Sequence, residues 1–91
     1  LIFCHEHAHI LIDEHGGPEY VTRCRLIGLP GEGDKLAPET LRAAIAAEGT
    51  LPPHGALSLT NATEAGTVYT PAELRALTAV AREAGLRVHL D

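Results

Sequence analysis

The chain contains no methionine, only two cysteines and a single lysine, Lys35. Without a methionine it does not open on a translation start. It opens inside the apolar run Leu1-Ile2-Phe3-Cys4 and closes on Asp91, directly after a second apolar run. Both ends read as cut, so the expectation is an internal piece of a longer chain that carries part of a site. Two cysteines are too few for a disulfide framework. Cys4 and Cys24 both fall in apolar, strand-like stretches and are expected reduced and buried, as in the cytoplasm. No apolar run approaches the roughly 18 residues of a membrane-spanning helix. There is no charged-then-apolar leader that would support secretion. The seven Lys and Arg form no patch, and the formal charge is −5. Together these make nucleic acid and membrane unsuitable partners.

What is present is an ordinary globular composition of 91 residues, enough for one small domain or part of a larger one. Leu1 to Cys4 reads as a short buried strand, followed by a His-rich turn from His5 to His9. Ile10 to His15 can form a short helix, stopped by Gly16-Gly17-Pro18. Val21 to Leu29 reads as a second strand, with Cys24, Leu26 and Ile27 as core, and residues 30–34 form a turn. Pro38 occupies a first helical position, and Leu41, Ala44 and Ile45 recur at helical spacing up to Gly49. Ala56 to Asn61 alternates as a strand does. Thr70-Pro71-Ala72-Glu73 is a capping box that opens a helix with Leu74, Leu77, Val80, Ala81 and Ala84 on one face and Gly85 as its stop. Leu86 to Leu90 closes the series as a strand.

Alternating strands and helices predict an α/β fold with a mostly parallel sheet and no internal domain boundary. Ligands in such sheets sit at the carboxyl ends of the strands. Three places qualify. The first is His5-Glu6-His7-Ala8-His9. A His-x-His pair at a strand end can ligate zinc or a similar ion, as in metal-dependent hydrolases, with His5, His7 and Asp91 as donors. A single imidazole can instead lie flat on an aromatic cofactor ring and exchange a proton, or the histidines can be turn residues with no role. The second place is Asp91, which can bind a metal, act as a base, pair with a protonated ring nitrogen, or cap a following helix. The third is the small polar loop Thr60 to Thr67.

In this order, His7-Ala8-His9-Ile10 with Glu14-x-Gly16-Gly17, Leu57-Ser58-Leu59-Thr60-Asn61, Gly66-Thr67-Val68-Tyr69 and Leu86 to Asp91 resemble the threonine aldolase/β-eliminating lyase family of fold-type I pyridoxal-phosphate enzymes. The resemblance runs along essentially the whole chain. It implies that residues 1–91 belong to the large, cofactor-binding domain of such an enzyme. It implies pyridoxal 5′-phosphate as cofactor, with His9 stacked on its ring and Asp91 paired with the pyridine nitrogen, which makes the ring an electron sink. Asn61 and Thr63 fall where the substrate is expected, and Thr63 stands where many threonine aldolases carry a second active-site histidine.

The Schiff-base lysine, the arginine that binds the substrate carboxylate and the phosphate loop are expected outside the chain. Lys35, in its loop, is given no such role. The activity implied is aldol cleavage of threonine or a related, even phenylserine-like, β-hydroxy-α-amino acid to glycine and an aldehyde. The piece alone is expected to be inactive. A β-eliminating lyase is the alternative, and a metal-dependent hydrolase using His5 and His7 the more distant one. The resemblance further implies a cytoplasmic homodimer or homotetramer acting on a small amino acid.

Overall fold

The computed structural model describes all residues, Leu1 to Asp91. Four strands, β1 (Ile2–His5), β2 (Leu26–Leu29), β3 (Ala56–Leu59) and β4 (Arg87–Leu90), form one sheet. Their order is β2-β1-β3-β4, and all three pairings are parallel. The connections carry four helices: α1 (His9–Ile12), α2 (Gly17–Thr22), α3 (Pro38–Glu48) and α4 (Pro71–Glu83).

In a parallel sheet, laterally paired residues face the same side, and alternate residues along a strand face opposite sides. The register therefore puts Phe3, Ile27, Leu57 and Val88 in one row, and His5, Leu29, Leu59 and Leu90 in a second row on the same face. That face is the core. Phe3 and Leu57 pack with Leu41 of α3 and with Leu77, Val80 and Ala81 of α4. Truncating a side chain such as Leu41, which is fully buried, costs about 2–5 kcal/mol. The helix α4 begins as the sequence requires. The Thr70 side chain accepts from the Glu73 backbone N–H, and Glu73 accepts from the Thr70 N–H.

The opposite face is thinly covered. Cys4, Leu26 and Ser58 are buried there, but α1 and α2 contribute no buried residue. Burial pushes the Cys4 thiol up to about 11, so it stays protonated and inert.

Four sequence expectations need correction. Val21 and Thr22 belong to a helix, and the second strand begins only at Leu26. Gly16-Gly17-Pro18 does not stop a helix but starts one, because proline fits a position where no N–H is needed. Cys24, expected in the core, lies outside the strand and is only half-buried. The helix expected over residues 10–15 is shorter, and His9 is its first residue.

The strand order reverses between β1 and β3. From β1 the chain leaves toward β2, and from β3 it leaves toward β4. Neighbouring connections that part in this way open a crevice at the strands' carboxyl ends. The His-rich segment follows β1 and the Asn61 loop follows β3, so the two line that crevice from either side.

Candidate active site

Three loops and the end of β4 meet at the carboxyl edge, and side-chain hydrogen bonds tie the loops together. Lys35 Nζ donates to the Val68 carbonyl and to both Glu73 carboxylate oxygens at 2.8–3.2 Å. The Tyr69 hydroxyl accepts from the Leu36 backbone N–H at 2.7 Å, and the Thr67 hydroxyl donates to the Gly33 carbonyl. Lys35, the one lysine, is thus a strut between two loops. The Lys35 ammonium and the Thr70 N–H hold the Glu73 carboxyl below its ordinary range. Burial raises the Tyr69 hydroxyl, which keeps it a neutral donor and acceptor.

The histidines separate into two groups. His5 is buried, and backbone groups satisfy both of its ring nitrogens. Its Nε2–H donates to the Gly31 carbonyl at 2.9 Å. Its Nδ1 accepts from the backbone N–H of His7 at 3.1 Å. Gly31 can hold its carbonyl there because it has no side chain: a Cβ would stand 2.0 Å from the Lys35 carbonyl oxygen. His7 is exposed and donates from Nδ1 to Asp34 Oδ1 at 2.9 Å, a bond that raises its pKa above the ordinary value.

His5 Nδ1, His7 and Asp34 come close enough to suggest a metal cluster. The chemistry of His5 argues against one. Its Nδ1 lone pair is already accepting a hydrogen bond, and its Nε2 carries a proton. The 4.0 Å approach of Asp34 to His5 Nδ1 is beyond hydrogen-bond reach. Asp91, the third donor of the hydrolase alternative, lies 3.0 Å from His9 Nε2 instead.

His9 is the second group. It begins α1 and lies between two carboxylates. Glu64 Oε1 is 3.0 Å from Nδ1, and Asp91 Oδ2 is 3.0 Å from Nε2. The His9 and Asp91 side chains are 26% and 55% exposed, respectively, so both remain accessible from solvent. Asp91 is positioned by its backbone. Its N–H donates to the Leu59 carbonyl, and its carbonyl accepts from the Asn61 N–H. Asn61 in turn accepts the Tyr69 N–H through Oδ1 at 3.1 Å.

Thr63 is buried, and its hydroxyl shares a 2.6 Å bond with that of Thr67. The structure therefore joins His9 to Asp91 directly, sets Asn61 beside Asp91, and turns Thr63 inward as a loop fastener. Glu64 was missed from sequence. The signal available was its being the only charged residue in the loop Thr60 to Thr67.

An imidazole and a carboxylate in contact at the carboxyl edge of a parallel sheet fit a flat, protonatable heteroaromatic ring. One offers an aromatic face, and the other an acceptor for a ring N–H. The donor set thus suits a pyridoxal-phosphate enzyme. The chain belongs to the beta-eliminating lyase family, whose model matches residues 1–91.

Among its relatives is the low specificity L-threonine aldolase of Pseudomonas sp. strain NCIMB 10558, 37% identical over 93 aligned positions that take in 99% of this chain and 27% of that protein. The low specificity L-threonine aldolase of Pseudomonas aeruginosa is 38% identical over the same shares. Among solved structures, the threonine aldolase of Leishmania major superposes with a TM-score of 0.85 at 28% identity, over 99% of this chain and 27% of that one. The α/β sheet is that of the fold-type I enzymes. The chain spans about a quarter of the length of these relatives. No helix is long and apolar enough to cross a membrane.

Proposed function

We propose that the complete protein carrying this chain cleaves a β-hydroxy-α-amino acid, threonine or a bulkier relative, to glycine and an aldehyde with pyridoxal phosphate as cofactor. The observation that carries this is the contact of His9 with Asp91 at the crevice between β1 and β3. The relatives named L-threonine aldolase support the choice of reaction.

Pyridoxal phosphate, when bound, supplies an electron-withdrawing ring that takes up the electron pair released when the Cα–Cβ bond breaks. Asp91 would hold the proton on that ring's nitrogen, since an adjacent carboxylate favours the charged partner. His9 would lie against the ring face and fix its plane. Its Nε2, once released from Asp91, is the chain's candidate to take the β-hydroxyl proton. Asn61 would meet the substrate through its amide N–H groups, its Oδ1 being committed to Tyr69. Thr63 has its hydroxyl engaged within the loop, so its contribution to substrate binding would come through the shape of that loop.

The test is direct. The full-length protein is incubated with pyridoxal phosphate and with L-threonine or phenylserine, and the products are separated. Glycine plus the matching aldehyde is the expected result. Pyruvate or another keto acid plus ammonia would place the protein on the eliminating branch instead. Absence of a cofactor absorbance band would overturn the reading altogether.

A further inference from the structure

We propose that Glu64 is a positioning residue for His9: its carboxylate holds the Nδ1–H and so directs Nε2 and the ring face toward Asp91 and the reacting group. The assignment rests on the aldolase reading for what the imidazole is held to do, and the geometry beneath it is separate.

A histidine ring has two freedoms that a catalyst must remove. Its terminal torsion is broad and roughly two-fold, so the ring can flip. Its single neutral proton can sit on either nitrogen. Glu64 removes both. A carboxylate only accepts, so the 3.0 Å contact to Nδ1 requires a proton there, and a flipped ring would present a carbon instead. Nε2 is then the nitrogen left to gain and lose the second proton. Asp91 cannot do this work as well. In the proposed reaction its carboxylate is committed to the cofactor's ring nitrogen, which leaves Glu64 as the remaining carboxylate on His9.

The loop is built to place Glu64. The Thr63 N–H donates to the Thr67 carbonyl and the Gly66 N–H to the Thr63 carbonyl, both at 2.9 Å. The Thr67 N–H donates to the Thr63 hydroxyl at 3.2 Å. Gly66 turns the chain at φ +79°, a region that glycine enters without steric cost. The Thr67 hydroxyl then fastens the loop to Gly33 on the neighbouring connection. Glu64 rides at the top of this closed turn, and its own side chain is 40% exposed, so replacing it removes no core contact.

The experiment compares Glu64→Ala and Glu64→Gln in the full-length enzyme. The His9 ring nitrogens are read by NMR in the cofactor-free protein, with His9→Phe used to assign the signals. The wild type and Glu64→Gln should carry the proton on Nδ1, because the Gln carbonyl still accepts it. Glu64→Ala should lose the Nδ1 proton and keep the neutral ring's proton on Nε2, the nitrogen that faces Asp91. In the cofactor-loaded enzyme, Glu64→Ala should lower kcat about tenfold with KM within about twofold, and Glu64→Gln should recover most of that loss. Melting temperatures should match the wild type. An unchanged tautomer in Glu64→Ala, or a changed tautomer with unchanged kcat, overturns the proposal. A failure of the aldolase reading shows differently, as a wild type that binds no pyridoxal phosphate and releases no glycine, and the NMR comparison reads the Glu64–His9 bond in either case.

Discussion

Two histidines four residues apart leave the same strand, and the structure uses them in opposite ways. His5 is buried and bonds only to main-chain groups, the Gly31 carbonyl and the His7 N–H. The His9 ring is partly exposed and meets only carboxylate side chains, hydrogen-bonded to Glu64 and 3.0 Å from Asp91. A ring held by backbone cannot change partners without the fold opening. A ring held by side chains at a crevice can exchange one of them for a ligand. The type of partner, rather than residue type or position on the strand, separates a structural imidazole from a reactive one. His7 is intermediate: exposed, and tied to a single carboxylate.

Substitutions that exchange these roles test the contrast. The largest effect is expected for Asp91→Ala in the full-length enzyme. Turnover should fall by about 10³-fold, because the charge that stabilises the reacting system is lost, while pyridoxal phosphate remains detectable by absorbance. Near-normal turnover would detach Asp91 from the chemistry.

His9→Ala should follow, with kcat down about 10²-fold and weaker cofactor binding by titration. His9→Phe should restore binding but not rate, which separates stacking from proton transfer.

His5→Ala should act on stability. It leaves the Gly31 carbonyl without its donor, at a cost of about 1–3 kcal/mol in denaturant unfolding, with catalytic constants of the folded fraction unchanged. A specific loss of kcat with normal stability would erase the distinction between His5 and His9.

The smallest effect belongs to His7. Its pKa is raised by Asp34, so the folded state holds its proton more tightly than the unfolded chain. The resulting stabilisation is fully present below the ordinary value and is lost as pH rises through the raised one. The stability difference between wild type and His7→Ala should therefore be larger at about pH 5.5 than at about pH 8.5. A difference that grows with pH would contradict the His7–Asp34 bond.

The sequence disclosed those features whose causes are local. The capping box at Thr70 and Glu73, proline at the start of α3, and the apolar faces of α3 and α4 are short-range signals, and they were legible. So was the alternation that implies a parallel sheet. The stretch Val21 to Cys24 misled because apolar character at Val21 and Cys24 mimics a strand, whereas the chain there follows Pro18 into a helix that leaves Tyr20 and Val21 exposed. The resemblance to pyridoxal-phosphate enzymes leads to the expectation that His9 and Asp91 serve one site, and the structure sets His9 Nε2 3.0 Å from Asp91 Oδ2. No sequence pattern indicated that Glu64 would reach His9, because that contact depends on which strands become neighbours and on how the Thr63–Thr67 turn closes. The bonds that quiet His5 were invisible for the same reason.

Gly28 gives the site a dimension of its own. It pairs with Cys4 in the sheet, and a Cβ added there would come within 2.6 Å of the Leu11 side chain and 3.1 Å of the Glu6 backbone. Leu11 belongs to the same single-turn helix that His9 begins. The Leu11 side chain and the turn at Glu6 thus sit where the neighbouring strand lacks a methyl group. Gly28→Ala would act as a shim, displacing the Leu11 side chain and pressing on the turn at Glu6 that leads to His9. A change with no atom in the crevice would then read, in kinetics, like a change in the crevice itself.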